Sequence, residues 1–593
     1  MSGERSYSWG PSFALDGSTT FRLWAPSQAQ VSLEIGSETI PMSRSTEGWF
    51  QCRIDRQPFG AEYGFVLQGQ PPIPDPASRY QPSGVDAPSV LLDENSYRWQ
   101  NLRWTGRPWE EAVMYELHLG TFTQEGTFRS AIPHLRRLAE IGFTAIELMP
   151  LAEFPGERGW GYDGVYQYAP HHAYGSPDDF KALVDAAHRH GMMVILDVVY
   201  NHFGPAGNYI KNYAPDFFLA DDPTPWGPKI AFARDPVRRF FVDNVLYWLQ
   251  EFRLDGLRLD AIDQIEDPSS RHILREMSET VRRQIPDRTV HLIIENPANG
   301  ADLLASDESG EGLFTADWND DFHHALHVAV TGEATGYYEP FKHDSWGKLR
   351  KTLAGGYLRQ GRSMLGRPLP DGASLPPTSF VHFLQNHDQV GNRALGERLH
   401  AMIDRRCHSV LTELLVFSPQ IPLMFMGDDH RSSKPFHFFA DYDGELADAI
   451  RRSRPKEALN FGGFPDGTDA SDVSDPNESS TFLRCKLHWS EANERANVAW
   501  AEWLRDLISV RRQWIVPLLS NKARYSGTVL PSEDGAVFID WKLAGSILSL
   551  RANASPRTYR LDLRPVDMRY PGRGQTVAGV LDPWSTHLYI GDR

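Results

Sequence analysis

Residues 256–263, GLRLDAID, set one arginine and two aspartates into a run that otherwise reads as a buried strand. Charges in such a place are costly unless they are paired or used. Strand side chains alternate, so Arg258 and Asp260 share one face while Leu257, Leu259 and Ala261 share the other. A guanidinium beside Asp260 favours its ionised form, which a nucleophilic carboxylate needs. The same pair also fits a buried ion pair that only pins the fold. Asp263 lies beyond the expected strand end and is the weaker candidate.

A second carboxyl ends the run VHLIIEN. Glu295 follows an apolar strand there, where partial desolvation raises a pKa and suits a general acid. The plainer reading is a strand-end glutamate facing a loop amide. FLQNHD, 383–388, ends another strand-like run with His387 and Asp388. Alternation puts His387 on the face of Gln385 and Phe383, and spacing does not choose between His387 and Asp388. DVVYNH, 197–202, adds Asp197, Asn201 and His202. Two carboxyl groups, one ionised and one still acidic near neutral pH, are the requirement for glycoside cleavage. Metal chemistry is the rival, but the histidines of these two runs show neither HxH nor HExxH spacing.

These residues need a scaffold that brings several strand ends together. AVMYELHLG, TAIELMP, MMVILDVVYNH, GLRLDAI, VHLIIEN, LFTADW, SFVHFLQNHD and IPLMFMG read as eight strands with helical or loop sequence between them. That alternation predicts a (β/α)8 barrel, whose chemistry sits at the C-terminal strand ends. Polar residues fall at those ends: His118, Glu147, Asp197, Asn201, His202, Arg258, Asp260, Glu295, Trp318, His387 and Asp388. An open doubly wound sheet competes. No GxGxxG that opens a helix, and no GxxxxGK[ST], supports it. Before the barrel, TTFRLWAP, VSLEI, WFQCRI and EYGFVLQG alternate like strands of a small β-sandwich over residues 1–105. After it, GAVFIDWKL, SILSLRAN and RTYRLDL predict a small β domain over 519–593. The catalytic barrel is expected over 106–518.

The totals agree with such an enzyme. A net charge of −17 argues against nucleic acid or an anionic membrane as the main partner and suits a neutral substrate. Seventeen tryptophans fit several large cores, or stacking platforms for the apolar faces of sugar rings. Cys52, Cys407 and Cys485 form no CxxC pair, so neither a zinc nor a redox motif is expected, and so sparse a set suits a reducing compartment. The start, MSGERSYSWG, has no apolar leader segment. The most apolar long stretch, VLTELLVFSPQIPLMFM, is broken by Glu413, Ser418 and two prolines. A cytoplasmic protein is expected.

DVVYNH, GLRLDAID, IIEN and FLQNHD resemble, in order, the four signature regions of the α-amylase superfamily. FRLWAPSQAQVSLEI, PDPASRYQPSGV, MYELHLGTFT, ELMPLAEFPGERGWGYDGVYQYAPHHAYG, WNDDFHHALH and TFLRCKLHWSE are similar to the maltooligosyltrehalose trehalohydrolase branch of that superfamily. The resemblance covers most of the chain outside its C-terminal domain. It implies Asp260 as nucleophile, Glu295 as acid/base and Asp388 as the residue that binds and distorts the reacting sugar. It implies that Arg258 orients Asp260, that His202 and His387 hold hydroxyls of that sugar, and that Tyr162 stacks on it. Asp197 and Asn201 would support the site. Trp318 and Asp263 would serve the leaving-group side. It also implies a retaining hydrolase acting on maltooligosyltrehalose and related α-glucan oligosaccharides, with a maltooligosyltrehalose synthase as its pathway companion.

Two stretches depart from the branch. Asp263 stands where a His or Lys is common, and Asp428, Asp429 and His430 stand where a Glu-Glu-aromatic run is usual; both stretches are expected on the leaving-group side. The segment 203–235 is short for the superfamily and has no compact carboxylate cluster, so no metal and no cofactor is expected. Two other functions compete: a branching or debranching enzyme of the same superfamily, acting at α-1,6 bonds, and a glycan-binding protein without catalysis. WNDDFHHALH and KLHW disfavour the first, and intact Asp260, Glu295 and Asp388 disfavour the second.

Overall fold

The computed structural model describes residues 7–592 except 225, 306–311, 360, 367–374, 520–526, 562–566 and 573–578; the side chains of 220–224 and 592 are also outside the description. Most of the expected leaderless start, residues 1–6, therefore lies outside it.

All eight expected strands form, and they close on themselves. They are β1 (Met114–Leu117), β2 (Ala145–Leu148), β3 (Met193–Val198), β4 (Gly256–Leu259), β5 (His291–Ile294), β6 (Ala316–Trp318), β7 (Phe380–Phe383) and β8 (Ile421–Phe425). The order around the barrel is β2-β3-β4-β5-β6-β7-β8-β1, which follows the chain. Every residue of these strands is buried, which explains their near-continuous apolar runs. Register then decides which polar residues are neighbours: Asp197 of β3 pairs with Arg258 of β4, and Phe425 of β8 pairs with Glu116 of β1.

The helix signals are also realised. Helix α1 (Pro177–Arg189) starts at Ser176, whose side chain accepts from Asp179 N while the Asp179 carboxylate accepts from Ser176 N. Pro177 occupies its first turn and Gly191, at φ +72°, follows its end. Helix α2 (Asp320–Thr331) is capped by Asn319, whose side chain accepts from Phe322 N.

By contacts the chain divides into two compact units. One comprises Met1–Gly106, Glu125–Pro133 and Leu148–Leu292; the other comprises Arg107–Gln124, His134–Glu147 and Ile293–Arg593. The first contains two four-stranded sheets, including the four predicted strands Thr19–Trp24, Val31–Ile35, Trp49–Ile54 and Glu62–Leu67. Their inner faces meet, with Phe21 of one sheet edge-on to Tyr63 of the other at 5.1 Å. The second unit ends in a five-stranded sheet built around Ala536–Leu543, Ser546–Asn553 and Ser585–Asp592.

Candidate active site

In the first unit, β4 approaches β5 so closely that a Cβ on Gly256 would meet His291 O at 2.4 Å. Only glycine allows that start, and it sets the level at which Arg258 and Asp260 emerge. Arg258 is fully buried, and its Nη1 donates to Asp197 Oδ2 at 2.7 Å and to Asp260 Oδ1 at 3.0 Å. The side chain of Asn201 donates to Asp260 Oδ2 and to Asp260 O, both at 3.0 Å. The Asp260 side chain keeps 14% of its surface exposed. One cation and one amide thus hold a carboxylate by both oxygens and leave part of it open. Such donors favour the charged form. Directly after it, Ala261 takes a left-handed backbone (φ 39°, ψ 54°), a strained conformation for a residue with a Cβ. The strand ends at Leu259, and Asp263 falls in the short 3-10 turn Ile262–Gln264, where Gln264 donates to it.

Tyr162 and His202 complete this half. Gly161 has φ +100°, and a Cβ there would meet Pro150 O at 2.1 Å, so the loop presents Tyr162 through a turn that needs glycine. The Tyr162 hydroxyl donates to Asp197 Oδ2 at 2.6 Å. His202 is buried beside Asn201 and hydrogen-bonded to it, and burial pushes its pKa down, which keeps the ring neutral.

In the second unit, Glu295 follows β5 directly and is half-buried. Its neighbour Asn296 donates its backbone N–H to Asp317 Oδ1 at 3.1 Å, and Tyr357 donates to Asp317 Oδ2 at 2.5 Å. Burial pushes the Asp317 carboxyl well above the usual range. After β7 the chain turns at Asn386, whose side chain accepts from Asp388 N at 2.9 Å, while Gln389 accepts from Asn386 N. His387 and Asp388 therefore stand in the first turn of the short helix His387–Gly391, not on the strand. The alternation argument for His387 does not apply, and both side chains remain on one side of a turn, with Nε2 of His387 3.5 Å from Asp388 Oδ1. Asn392 donates to Asp388 Oδ1 at 3.2 Å, and Arg454 in turn donates to Asn392 Oδ1 at 2.9 Å. Asp388 itself is half-exposed. The WNDDFHHALH motif backs this turn, because His323 of α2 packs under it with Nδ1 2.8 Å from Leu384 O.

In the first unit hydrogen bonds join Arg258, Asp260, Asp197, Asn201 and Tyr162, and in the second His387 and Asp388 share one turn. Trp318 is 2% exposed and packs at 5.4 Å from Phe383 and 6.2 Å from His387, so it meets the site from beneath. The expectation that Asp429 and His430 line the leaving-group side does not hold, since both are fully buried. Residues that sequence reasoning missed are Glu116, Asp317, Asn392 and Arg454. Glu116 and Asp317 had a signal, a lone charge inside the strand runs MYEL and LFTADW; Asn392 and Arg454 had none. Among the described residues, Glu153, His171 and His172 are grouped closely enough to hold a metal ion. Glu153 lies 2.7 Å from His172 Nδ1 and 3.2 Å from His171 Nδ1. The hydrogen bond to Glu153 lifts His172 to about 9, and Glu153 is held below its usual range against the cost of burial. The group reads as a buried ion pair.

The closed eight-stranded barrel is that of α-amylase-type glycoside hydrolases, and residues 116–227 match the family described as the alpha amylase catalytic domain. The chain is 40% identical over 524 residues to the malto-oligosyltrehalose trehalohydrolase of Deinococcus radiodurans, covering 88% of this chain and 84% of that one. It is 37% identical over 568 residues to the enzyme of the same name from Rhizobium sp., covering 92% and 93%. A crystal structure of a Salmonella typhimurium protein, described only as a candidate alpha amylase, matches with a TM-score of 0.93 at 45% identity over 99% and 100% of the two chains. The chain belongs to the malto-oligosyltrehalose trehalohydrolase family.

Proposed function

We propose that the protein hydrolyses the α-1,4 bond next to the trehalose unit of malto-oligosyltrehalose, with retention, releasing trehalose. Asp260 attacks C1 of the sugar on the non-reducing side while Glu295 gives its proton to the departing trehalose oxygen. A water then attacks C1, Glu295 takes its proton, and the glycosyl bond to Asp260 breaks. Asp388, His202 and His387 hold hydroxyls of the reacting sugar, and Tyr162 stacks on it. Arg258 keeps Asp260 ionised and aimed, with Asp197 and Asn201 holding Arg258 and Asp260. Asp263 acts on the leaving-group side, whereas Trp318, too buried to offer its face to a sugar, supports His387 from below.

The observation that carries the reading is the cradle of Asp260: both oxygens held at 3.0 Å by Arg258 and Asn201 while part of the side chain stays open. Arg258 is fully buried while the carboxylate it holds keeps an open side, and the strained Ala261 stands directly beside it. A cytoplasmic location fits the sparse cysteines, and a synthase that makes malto-oligosyltrehalose is the companion implied by the substrate. The test is a product assay on maltotriosyltrehalose, maltopentaose and pullulan side by side. We expect trehalose as the small product and a kcat/KM for maltotriosyltrehalose at least ~10-fold above that for the plain oligosaccharide, which needs only about 1.4 kcal/mol of differential binding. Equal rates on both substrates would indicate a general amylase, and cleavage of pullulan at α-1,6 bonds a debranching enzyme.

A further inference from the structure

Glu116 has no part in the reaction described above, yet it is 1% exposed at the end of an apolar strand. A carboxylate in such a place must have its charge met. Both of its oxygens go to one residue. Nδ1 of His387 lies 2.5 Å from Glu116 Oε1, and the backbone N–H of His387 donates to Oε2 at 3.2 Å. The strand end that carries it is itself held, because Met426 N donates to Glu116 O at 2.8 Å.

A carboxylate that only filled a hole in the core would satisfy whatever donors lay nearby. This one is matched to the ring and the backbone of a single histidine. The pairing commits Nδ1–H to Glu116, and the bond at one ring nitrogen decides what the other offers. Nε2 is the nitrogen left over, and it sits 3.5 Å from Asp388 Oδ1. Trp318 limits the ring further, at 6.2 Å and 55°. We propose that Glu116 is a positioning residue of this active site: it fixes the ring of His387 so that Nε2 serves the reacting sugar and Asp388. This rests on the reading of His387 as a sugar-binding residue.

A double-mutant cycle tests it, with kcat and KM measured for maltotriosyltrehalose by trehalose release and unfolding followed by heat. Glu116→Gln keeps the shape but turns one acceptor into a donor, so it cannot accept both N–H groups of His387. We expect kcat to fall by roughly 10- to 100-fold, the scale of losses for residues that orient a ligating histidine, with KM within ~3-fold and Tm nearly unchanged. In the His387→Ala background the same Glu116→Gln change should lower kcat by no more than ~2-fold, because the group it positions is gone. Glu116→Asp, which keeps the charge and loses the reach, should behave like Glu116→Gln and replaces it if that variant does not fold. Equal losses in the two backgrounds, or a lowered Tm with unchanged kcat, would overturn the proposal while leaving the site reading intact. A His387→Ala enzyme with wild-type kcat/KM would overturn the reading of His387 itself and the proposal with it.

Discussion

Two aspartates follow barrel strands and sit beside cations, yet they are built for opposite ends. Asp260, after β4, is held by Arg258 and Asn201 and keeps part of its surface open. Asp429, after β8, is closed on every side: Tyr115 donates to Oδ1 at 2.8 Å, His430 Nδ1 lies 3.0 Å from the same oxygen, and Arg137 lies 3.5 Å from Oδ2. Burial opposes its charge, but His430, Arg137 and Tyr115 hold its pKa at about 2. Its neighbour Asp428 shows the reverse balance, pushed up by burial to about 6 despite Arg398 and Gln385. A charged pair at a strand end is therefore ambiguous until the open face is known. Donors that leave one side of a carboxylate open prepare it for a reacting atom. Donors that enclose it hold the fold.

The sharpest way to break this contrast is to remove one charge from each. Asp260→Asn should lower kcat by more than ~1,000-fold, about 4 kcal/mol of transition-state stabilisation, with Tm nearly unchanged, because a carboxamide has the same volume but forms no glycosyl-enzyme. Asp263→Asn, beyond the strand, should cost far less. Swapped phenotypes in steady-state kinetics would show that the wrong aspartate was chosen.

Glu295→Gln should inactivate nearly as strongly on the natural substrate. An aryl maltooligoside, whose leaving group needs no proton, should lose less in its first step, and the adduct on Asp260 should accumulate because no base activates water. Intact-mass and peptide mass spectrometry reads this; an adduct on another carboxylate sinks the pairing.

For Asp429 the expectation inverts. Asp429→Ala leaves Tyr115 and His430 without their acceptor and should destabilise by roughly 1–3 kcal/mol, with kcat per folded molecule within ~3-fold. A large kcat loss with unchanged Tm would erase the distinction between the two sites.

The smallest effect is on pH dependence. In the second unit burial pushes His382 and His408 to about 3, and His324 and His437 to about 4. Their unfolded value is 6.5, so between 6.5 and 4 the unfolded chain binds more protons. Stability from these groups is complete above pH 6.5 and falls as pH drops. In the first unit His172 is raised to about 9, so its contribution is complete below 6.5 and is lost as pH rises through 9. Unfolding by urea across pH 5–10 should show the first loss flattened by His408→Gln and the second by His172→Gln. The opposite assignment would mean that the burial and pairing of these rings are misread.

Much of the architecture was legible before any coordinates. The eight strands could be read because a barrel strand is buried on both faces and is mostly apolar until it nears its end. That property also makes the residue at the end stand out, which is why Asp260 and Glu295 were found as strand-end carboxyls. Helix α1 was readable for a local reason, its Ser176 cap and Gly191 stop. Where the chain leaves the strand, local rules failed. Alternation stops at Phe383, so parity said nothing useful about His387 and Asp388, whose placement follows from the Asn386 turn.

By itself, then, the sequence determined the strand count, the helix boundaries set by caps, the strand-end carboxyls and, through its four spaced motifs, the family. These depend on periodicity and on residues near each other along the chain. Tertiary structure alone decided that Glu116 belongs to His387, 271 positions away, that Tyr115 and Arg137 enclose Asp429, and that Trp318 lies under the site. Those pairings arise from closing β8 against β1 and from the turns at the strand ends. The sign and size of a carboxylate's pKa shift follow from what such closure leaves around it, and no local pattern of residues carries that information.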